Sequence, residues 1–328
     1  MLSTLYAAIA RRRRERYAAR PDLRRRLRAP VISVGNLAVG GRGKTPLVAT
    51  IAGMLLEMGE RPAILSRGYG RARNEPGVVV VRDRHEIRAG LESAGDEPLM
   101  LARQLPGVCV LTCPDRYRAG TVAEQELGAT VHVLDDGFQH LQLDRDIDLV
   151  IVGREDVARP VTLPTGRLRE PLDTIVAADA ILAEDDVVIE SAGFDLPVYR
   201  IRRETPTDRG AASTAAAGRP VVAVAGIAAP ERFFSDLRGA GWSVAETMAF
   251  KDHHRFSARD IDRIAAAARE AGAAMIVTTE KDYVRLLPFE PWPLPIVFVP
   301  ISLRPEPFDR FRDWIGAELL STRGSARG

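Results

Sequence analysis

One stretch constrains this chain more than any other. An apolar, β-branched run over 31–35 enters a glycine-rich loop ending in Lys44 and Thr45, and an apolar helical pattern follows over 44–58. Strand, glycine-rich loop and helix N-terminus in that order make a cradle for a polyphosphate. Glycines let backbone N–H groups turn toward phosphate oxygens and the helix end adds partial positive charge. Lys44 then reaches the terminal phosphates, and Thr45 offers a hydroxyl to Mg²⁺. The strict spacing of such a loop wants glycine at position 38, where Ala38 stands; Gly40, Gly41 and Gly43 supply the freedom instead. An ordinary strand-to-helix turn with a surface lysine has no need of three glycines in four residues. A loop of this kind also calls for a second apolar strand that delivers a carboxylate to the metal. The run over 131–134 supplies it and ends in Asp135 and Asp136, either of which reaches Mg²⁺ directly or through water. Adjacent carboxylates repel unless a cation relieves them.

The alternation repeats along the chain. Strand-like runs over 61–66, 78–81, 108–112 and 147–152 are separated by helical stretches over 96–105 and 114–127. Continuous apolar strands between helices predict an α/β fold with a mostly parallel sheet of the P-loop NTPase type and helices on both faces. The pattern lapses over 153–180 into a loop rich in Pro, Gly and Arg, and 205–218 reads as a linker or ribbon. Strands over 221–225, 242–249, 275–278 and 296–299 follow, with helices over 230–238, 258–271 and 309–320. The expected division is an arm over 1–28, a phosphate-binding kinase domain over 29–200, a linker over 201–218 and a smaller α/β lobe over 219–328.

Composition narrows the class. At 328 residues, with 46% hydrophobic and 27% charged, the chain can bury two cores, and wholesale disorder is excluded. No apolar run approaches the ~18 residues of a membrane-spanning helix. Cys109 and Cys113 are too few for a disulfide framework or a four-cysteine zinc site; they read as core packing in a reducing compartment.

Charge is unevenly placed. Residues 1–28 hold ten arginines against Glu15 and Asp22, a net of +8, so of the chain's +2 the other 300 residues carry −6. Leu2, Leu5, Tyr6 and Ile9 form a helical apolar stripe just before the arginines, a pattern suited to an anionic membrane surface. A solvated helix with its apolar face on the body is the competing reading. No aromatic interleaving or binding motif supports nucleic acid. Only three of the 46 basic residues are lysines, Lys44, Lys251 and Lys281, which marks places where a compact ammonium serves better than a planar fork.

Read in order, VGNLAVGGRGKTP, SRGYGR (66–71), GDEP (95–98), Asp115 with Arg116, LDDGFQH (134–140), LPTGRLREPL (163–172), FKDHHRF (250–256) and TEKD (279–282) resemble the motif series of the tetraacyldisaccharide 4'-kinase family. The resemblance implies a bacterial enzyme of the cytoplasmic face of the inner membrane. Members of the family often begin with a more hydrophobic segment, but here only about ten residues precede the arginines, so a peripheral anchor is expected, as is a monomer. The enzyme would move the γ-phosphoryl group of ATP, with Mg²⁺, to the 4'-hydroxyl of a tetraacylated glucosamine disaccharide 1-phosphate, giving lipid IVA. Position by position, Lys44 and Thr45 match the phosphate lysine and the magnesium hydroxyl. Asp96 and His253 match a pair that accepts the sugar hydroxyl's proton, and Glu97, Asp135 and Asp136 match ligands of the metal or its waters. Arg116, Arg169 and Tyr69 match groups facing phosphate or the sugar headgroup. Gln139, on the substrate side, closes with His140 the loop after the metal strand. The chemistry is sound: an aspartate orients the imidazole and raises its basicity, and a sugar hydroxyl is a poor nucleophile.

Alternatives stay open at three places. His254 competes with His253 as base. Lys281 reads equally as a group near the nucleotide and as a helix-terminal charge, and Phe233 with Phe234 equally as neighbours of adenine and as a buried helix face. Two other classes compete with the kinase. A nucleotide-switched membrane-binding protein has no use for Asp96 and His253, and a kinase of soluble metabolites leaves the arm unexplained.

Overall fold

The computed structural model describes residues 1–40, 43–71, 76–184, 187, 195–204 and 218–325. Gly41 lies outside these residues. Among those described, thirteen strands form two sheets: β1 (Val31–Asn36), β2 (Pro62–Ser66), β3 (Val79–Arg82), β4 (Cys109–Thr112), β5 (Val131–Asp135), β6 (Ile147–Val152), β7 (Ala180–Glu184), β8 (Val198–Glu204), β9 (Val221–Ala225), β10 (Val244–Ala249), β11 (Met275–Thr279), β12 (Ile296–Val299) and β13 (Ser302–Glu306). Nine of them make one sheet, ordered β13-β8-β7-β6-β1-β5-β2-β4-β3, and four make the other, ordered β10-β9-β11-β12. Both are parallel except at the two edges of the larger sheet, where β13 meets β8 and β3 meets β4 antiparallel.

β1 is buried along its whole length, as a central parallel strand must be. It lies between β5 and β6, with Val34 opposite Asp135. That register brings the loop after β1 and the carboxylates after β5 to one sheet end, where ligands of open α/β sheets bind. The helix Lys44–Glu57 packs Leu47, Val48, Ile51, Met54 and Leu55 on the sheet. Each such side chain contributes about 1.5–3 kcal/mol. In the smaller sheet, Phe233, Phe234 and Leu237 pack one face while Phe256, Ile264 and Leu286 pack the other.

The division expected from sequence needs correcting at both of its later boundaries. Residues 201–204, expected in the linker, belong to β8. The chain after β12 leaves the smaller lobe: β13 pairs with β8, and the closing helix Phe308–Ser325 packs Phe311, Ile315 and Leu319 into the core of the larger sheet. The second lobe therefore ends near β12. The stretch over 153–180, expected as loop, contains the helix Arg154–Ala158 and a 3-10 helix, Leu172–Ala177, and ends in β7.

The arm also differs. One helix, Leu2–Ala19, runs through the first arginines; of its apolar stripe Leu2, Leu5 and Ile9 are each more than 60% exposed, while Tyr6 is half-buried and, with Ile9, lines the mouth of a cavity in the body. Arginines and Ser3 make the attachment: Arg14 donates to Glu170 at 2.7 Å and lies over the Phe138 ring, Arg11 pairs with Asp173 at 2.6 Å, and the Thr162 hydroxyl donates to Ser3 O at 2.8 Å. Residues 24–28 belong to the body, where Leu27 is buried beside Ala119 and Leu143. Among the described residues no helix is long and apolar enough to cross a membrane.

Candidate active site

A cavity of about 1420 Å³ opens at the carboxyl end of the central strands and extends between the two lobes, lined by Lys44, Asp135, Arg169, His253 and Lys281 among others. The phosphate cradle forms its floor. Gly43 adopts a left-handed φ of 71° where a Cβ would strike the Leu303 side chain, so only glycine lets the loop turn there into its helix. Lys44 is the first residue of that helix and donates to Asn36 Oδ1 at 2.9 Å, with Asp136 Oδ1 at 3.3 Å. Asn36 Nδ2 and Arg116 Nε are buried donors with no partner among the described residues, which suits an anionic ligand.

Asp136 takes a left-handed φ of 58° and is held by Arg169 Nη1 at 2.8 and 3.0 Å. Arg169 also donates to Gln139 Oε1 at 3.3 Å, and Gln139 donates its amide to Asn36 O at 3.0 Å. Burial would raise the Asp136 carboxyl, but Lys44 and Arg169 outweigh it and hold it low. The adjacent Asp135 goes the other way: burial first, then Glu97 and Asp136, push it up to about 7 against Lys44 and Arg116. Such a carboxyl asks for another cation. The oxygen donors here, Glu97, Asp135, Asp136 and the Thr45 hydroxyl, have the chemistry of a Mg²⁺ site. Among the described residues no three acidic, His or Cys groups are placed to hold a metal ion by themselves.

The acceptor side is built from both lobes. Asp96 begins the helix Asp96–Gln104 of the larger lobe; His253 lies in the turn after β10 of the smaller lobe, at φ 56°. Their side chains meet with Nδ1 3.0 Å from Asp96 Oδ2. Burial alone would raise the Asp96 carboxyl, but His253, Lys281 and Arg285 together hold it well below the usual carboxylate range. An ionised carboxylate only accepts, so Nδ1 must carry the imidazole proton. Lys281 Nζ lies 3.1 Å from Nε2 and only donates, so Nε2 must be bare. Asp96 and Lys281 thus select one tautomer, with its basic nitrogen toward the cavity; Arg285 Nη2, a donor, also lies 3.4 Å from Nδ1, farther than the Asp96 carboxylate. Tyr69, 68% exposed, sets its ring edge-on to the imidazole at 5.4 Å.

The open alternatives resolve unequally. His254 packs against the Phe250 and Phe256 rings and contacts Asp260 Oδ2 at 3.1 Å, so it braces the turn. Lys281 points into the site, donating to Glu97 Oε1 at 2.9 Å. Phe234 is core, while Phe233, also buried, reaches the cavity wall. His140 lines the cavity with its imidazole pushed down to about 4, by burial and then by Arg116 and Arg145. Sequence reasoning missed Arg285, which is 5% exposed and donates to Asp96, Asp282 and Gly226 O. It also missed Asn36, the partner of Lys44.

Comparison with known proteins places the chain in a family. The family model for LpxK, tetraacyldisaccharide-1-P 4'-kinase, matches residues 1–319. The tetraacyldisaccharide 4'-kinase of Koribacter versatilis is 39% identical over 310 residues, covering 92% of this chain and 93% of that one. That of Syntrophus aciditrophicus is 39% identical over 326 residues, covering 88% and 84%. The crystal structure of the "apo" form of LpxK from Aquifex aeolicus in complex with ATP superposes with a TM-score of 0.79 at 31% identity, covering 97% of each chain.

Proposed function

Because the chain belongs to the tetraacyldisaccharide-1-P 4'-kinase family, we propose that the cavity between its lobes is where that reaction takes place, and that the side chains described above perform it. The protein is an ATP-dependent kinase of lipid A biosynthesis: it transfers the γ-phosphoryl group to the 4'-hydroxyl of a tetraacylated glucosamine disaccharide 1-phosphate. One observation carries the assignment of residues. Asp96 and His253, 157 positions apart, meet at 3.0 Å, with Asp96 buried behind His253, which lines the cavity that Lys44 enters.

The proposed division of labour assigns each group a task. Gly40, Gly43 and Lys44 grip the triphosphate, with Gly41 in the same loop, and Arg116 offers its unpartnered Nε to phosphate. Thr45, Glu97, Asp135 and Asp136 are the groups that would hold Mg²⁺, which when bound neutralises charge on the β- and γ-phosphates. Arg169, Gln139 and Tyr69 face the sugar headgroup. His253 Nε2 takes the proton of the 4'-hydroxyl as its oxygen attacks the γ-phosphorus, and Asp96 holds the imidazole for that moment. Positioning and charge neutralisation supply most of such a rate enhancement.

The arm gives the reaction its place. With Leu2, Leu5 and Ile9 exposed and the arginines following directly, the first helix rests on an anionic membrane as a peripheral anchor. The enzyme then works as a monomer on the cytoplasmic face of the inner membrane, where a lipid substrate slides in from the bilayer. The test is incubation with labelled ATP, Mg²⁺ and the disaccharide in mixed micelles, with thin-layer separation of products. Label on the 4'-position from the wild type, and none from Lys44→Ala or Asp96→Ala, is the expected result. Slow ATP hydrolysis with no labelled lipid points instead to a nucleotide-switched membrane protein.

A further inference from the structure

Lys281 stands where the two halves of the site join. It is the second residue of the helix Glu280–Leu286, with its side chain 17% exposed. Its ammonium donates to Glu97 Oε1 at 2.9 Å and to His253 Nε2 at 3.1 Å, with Asp252 Oδ1 at 3.8 Å. An ammonium has three donors and no acceptor, so it can hold both partners at once, and can hold Nε2 only while that nitrogen is bare. Glu97 faces the metal and phosphate side; His253 faces the sugar hydroxyl.

We propose that Lys281 is a positioning residue for phosphoryl transfer: it keeps the bare Nε2 of His253 aimed into the cavity and cedes that one hydrogen bond to the attacking hydroxyl, while staying anchored on Glu97 beside the transferring group. The inference rests on the reading of the cavity as a phosphotransfer site. Its step balances. The hydroxyl O–H bond breaks as Nε2–H forms, the new O–P bond forms, and the bond from γ-phosphorus to the bridging oxygen breaks, its electron pair leaving with ADP. Lys281 neither gains nor loses a proton. Once Nε2 carries a proton it is a donor, so the ammonium cannot return until that proton has left, and the base is reset before each turnover.

The residue type fits the task. A chain that uses arginine at all but three of its 46 basic positions keeps lysine here. A compact ammonium can give up one of three bonds and keep the rest, whereas a planar guanidinium is locked to paired acceptors.

The test uses the full-length enzyme with Lys281→Met and Lys281→Cys, reading kcat, both KM values and melting temperature. Cys109 and Cys113 are 2% and 3% exposed, so in the folded protein 2-bromoethylamine reacts at position 281 and rebuilds an ammonium on a stem of lysine's length. Lys281→Met is expected to lose about 100-fold in kcat, the scale of a misplaced reacting group, with little change in either KM or in melting temperature. Aminoethylated Lys281→Cys should recover to about a tenth of wild-type kcat or better, while the same variant capped with iodoacetamide should not. A Lys281→Met enzyme within about twofold of wild-type kcat overturns the inference, as does a folded Lys281→Cys that aminoethylation fails to revive. Wild-type enzyme that leaves the disaccharide unlabelled removes instead the phosphotransfer reading on which the inference stands.

Discussion

Arg285 and Asp96 form the buried ion pair that joins the two lobes: Arg285 Nε donates to Asp96 Oδ2 at 2.8 Å, and both side chains are at most 7% exposed. The same oxygen receives His253 Nδ1 at 3.0 Å. Removing the guanidinium takes from a buried carboxylate one of the cations bonded to it, a defect that costs about 3–5 kcal/mol. Arg285→Met should therefore lower the midpoint of chemical denaturation markedly, and Arg285→Lys, which keeps the charge but loses the fork, should recover part of it. A Met variant as stable as the parent would mean that the lobes are held together elsewhere.

Lys44 and Asp96 act on different halves of the reaction, and their kinetic signatures should differ. Lys44→Ala removes an ammonium that meets phosphate in both ground and transition states, so ATP KM rises and kcat falls together. Asp96→Ala removes the group that orients the base, so kcat should drop by about 10²–10⁴ with ATP KM little changed. Steady-state kinetics over a range of ATP concentrations separate the two cases. Full activity in Asp96→Ala would dispose of the proposed base pair.

How much of this was legible in the sequence depends on how local each signal is. The cradle over 35–45 and the strand ending in Asp135 and Asp136 are contiguous, and their spacing alone places them at one sheet end. The pairing of β8 with β13 joins segments about a hundred residues apart, and β13 carries Arg304 and Pro305, so it reads as loop. Proline is tolerated there because β13 is an edge strand. The meeting of Asp96 with His253 leaves no local trace, and only the ordered motif series pointed to it. Arg285 is hidden differently. It falls four residues after Lys281 on one helix, a spacing that shares a face, but it is one arginine among very many.

His140 gives a pH dependence with a definite sign. Its folded pKa, about 4, lies below the ordinary histidine value. Between about 6.5 and about 4 the unfolded chain therefore takes up a proton that the folded protein refuses. This group's contribution to stability is fully present above that window and is lost as pH falls through it. His140→Gln should flatten the fall in melting temperature between pH 7 and pH 4.5 relative to the wild type. Parallel curves for the two proteins would show that His140 takes no part in acid destabilisation.

The exposed face of the first helix sets the last expectation. Leu2, Leu5 and Ile9 are exposed, Ile9 at the rim of the cavity, while Arg11 and Arg14 are engaged with Asp173 and Glu170. The exposed apolar groups and the arginines not spent on the body are thus left for a bilayer. Inserting one CH₂ contributes about 0.8 kcal/mol, and each basic group near anionic headgroups contributes about 1 kcal/mol. Replacing Leu2, Leu5 and Ile9 together by Gln should weaken binding to anionic vesicles by well over tenfold, because several methylenes leave the membrane at about 0.8 kcal/mol each. Since these side chains make no core, melting temperature should hold. Raising salt should weaken what binding remains, because the arginine contribution is screened and the apolar one is not. Unaltered sedimentation of the triple variant with vesicles would place the membrane contact on some other part of the surface.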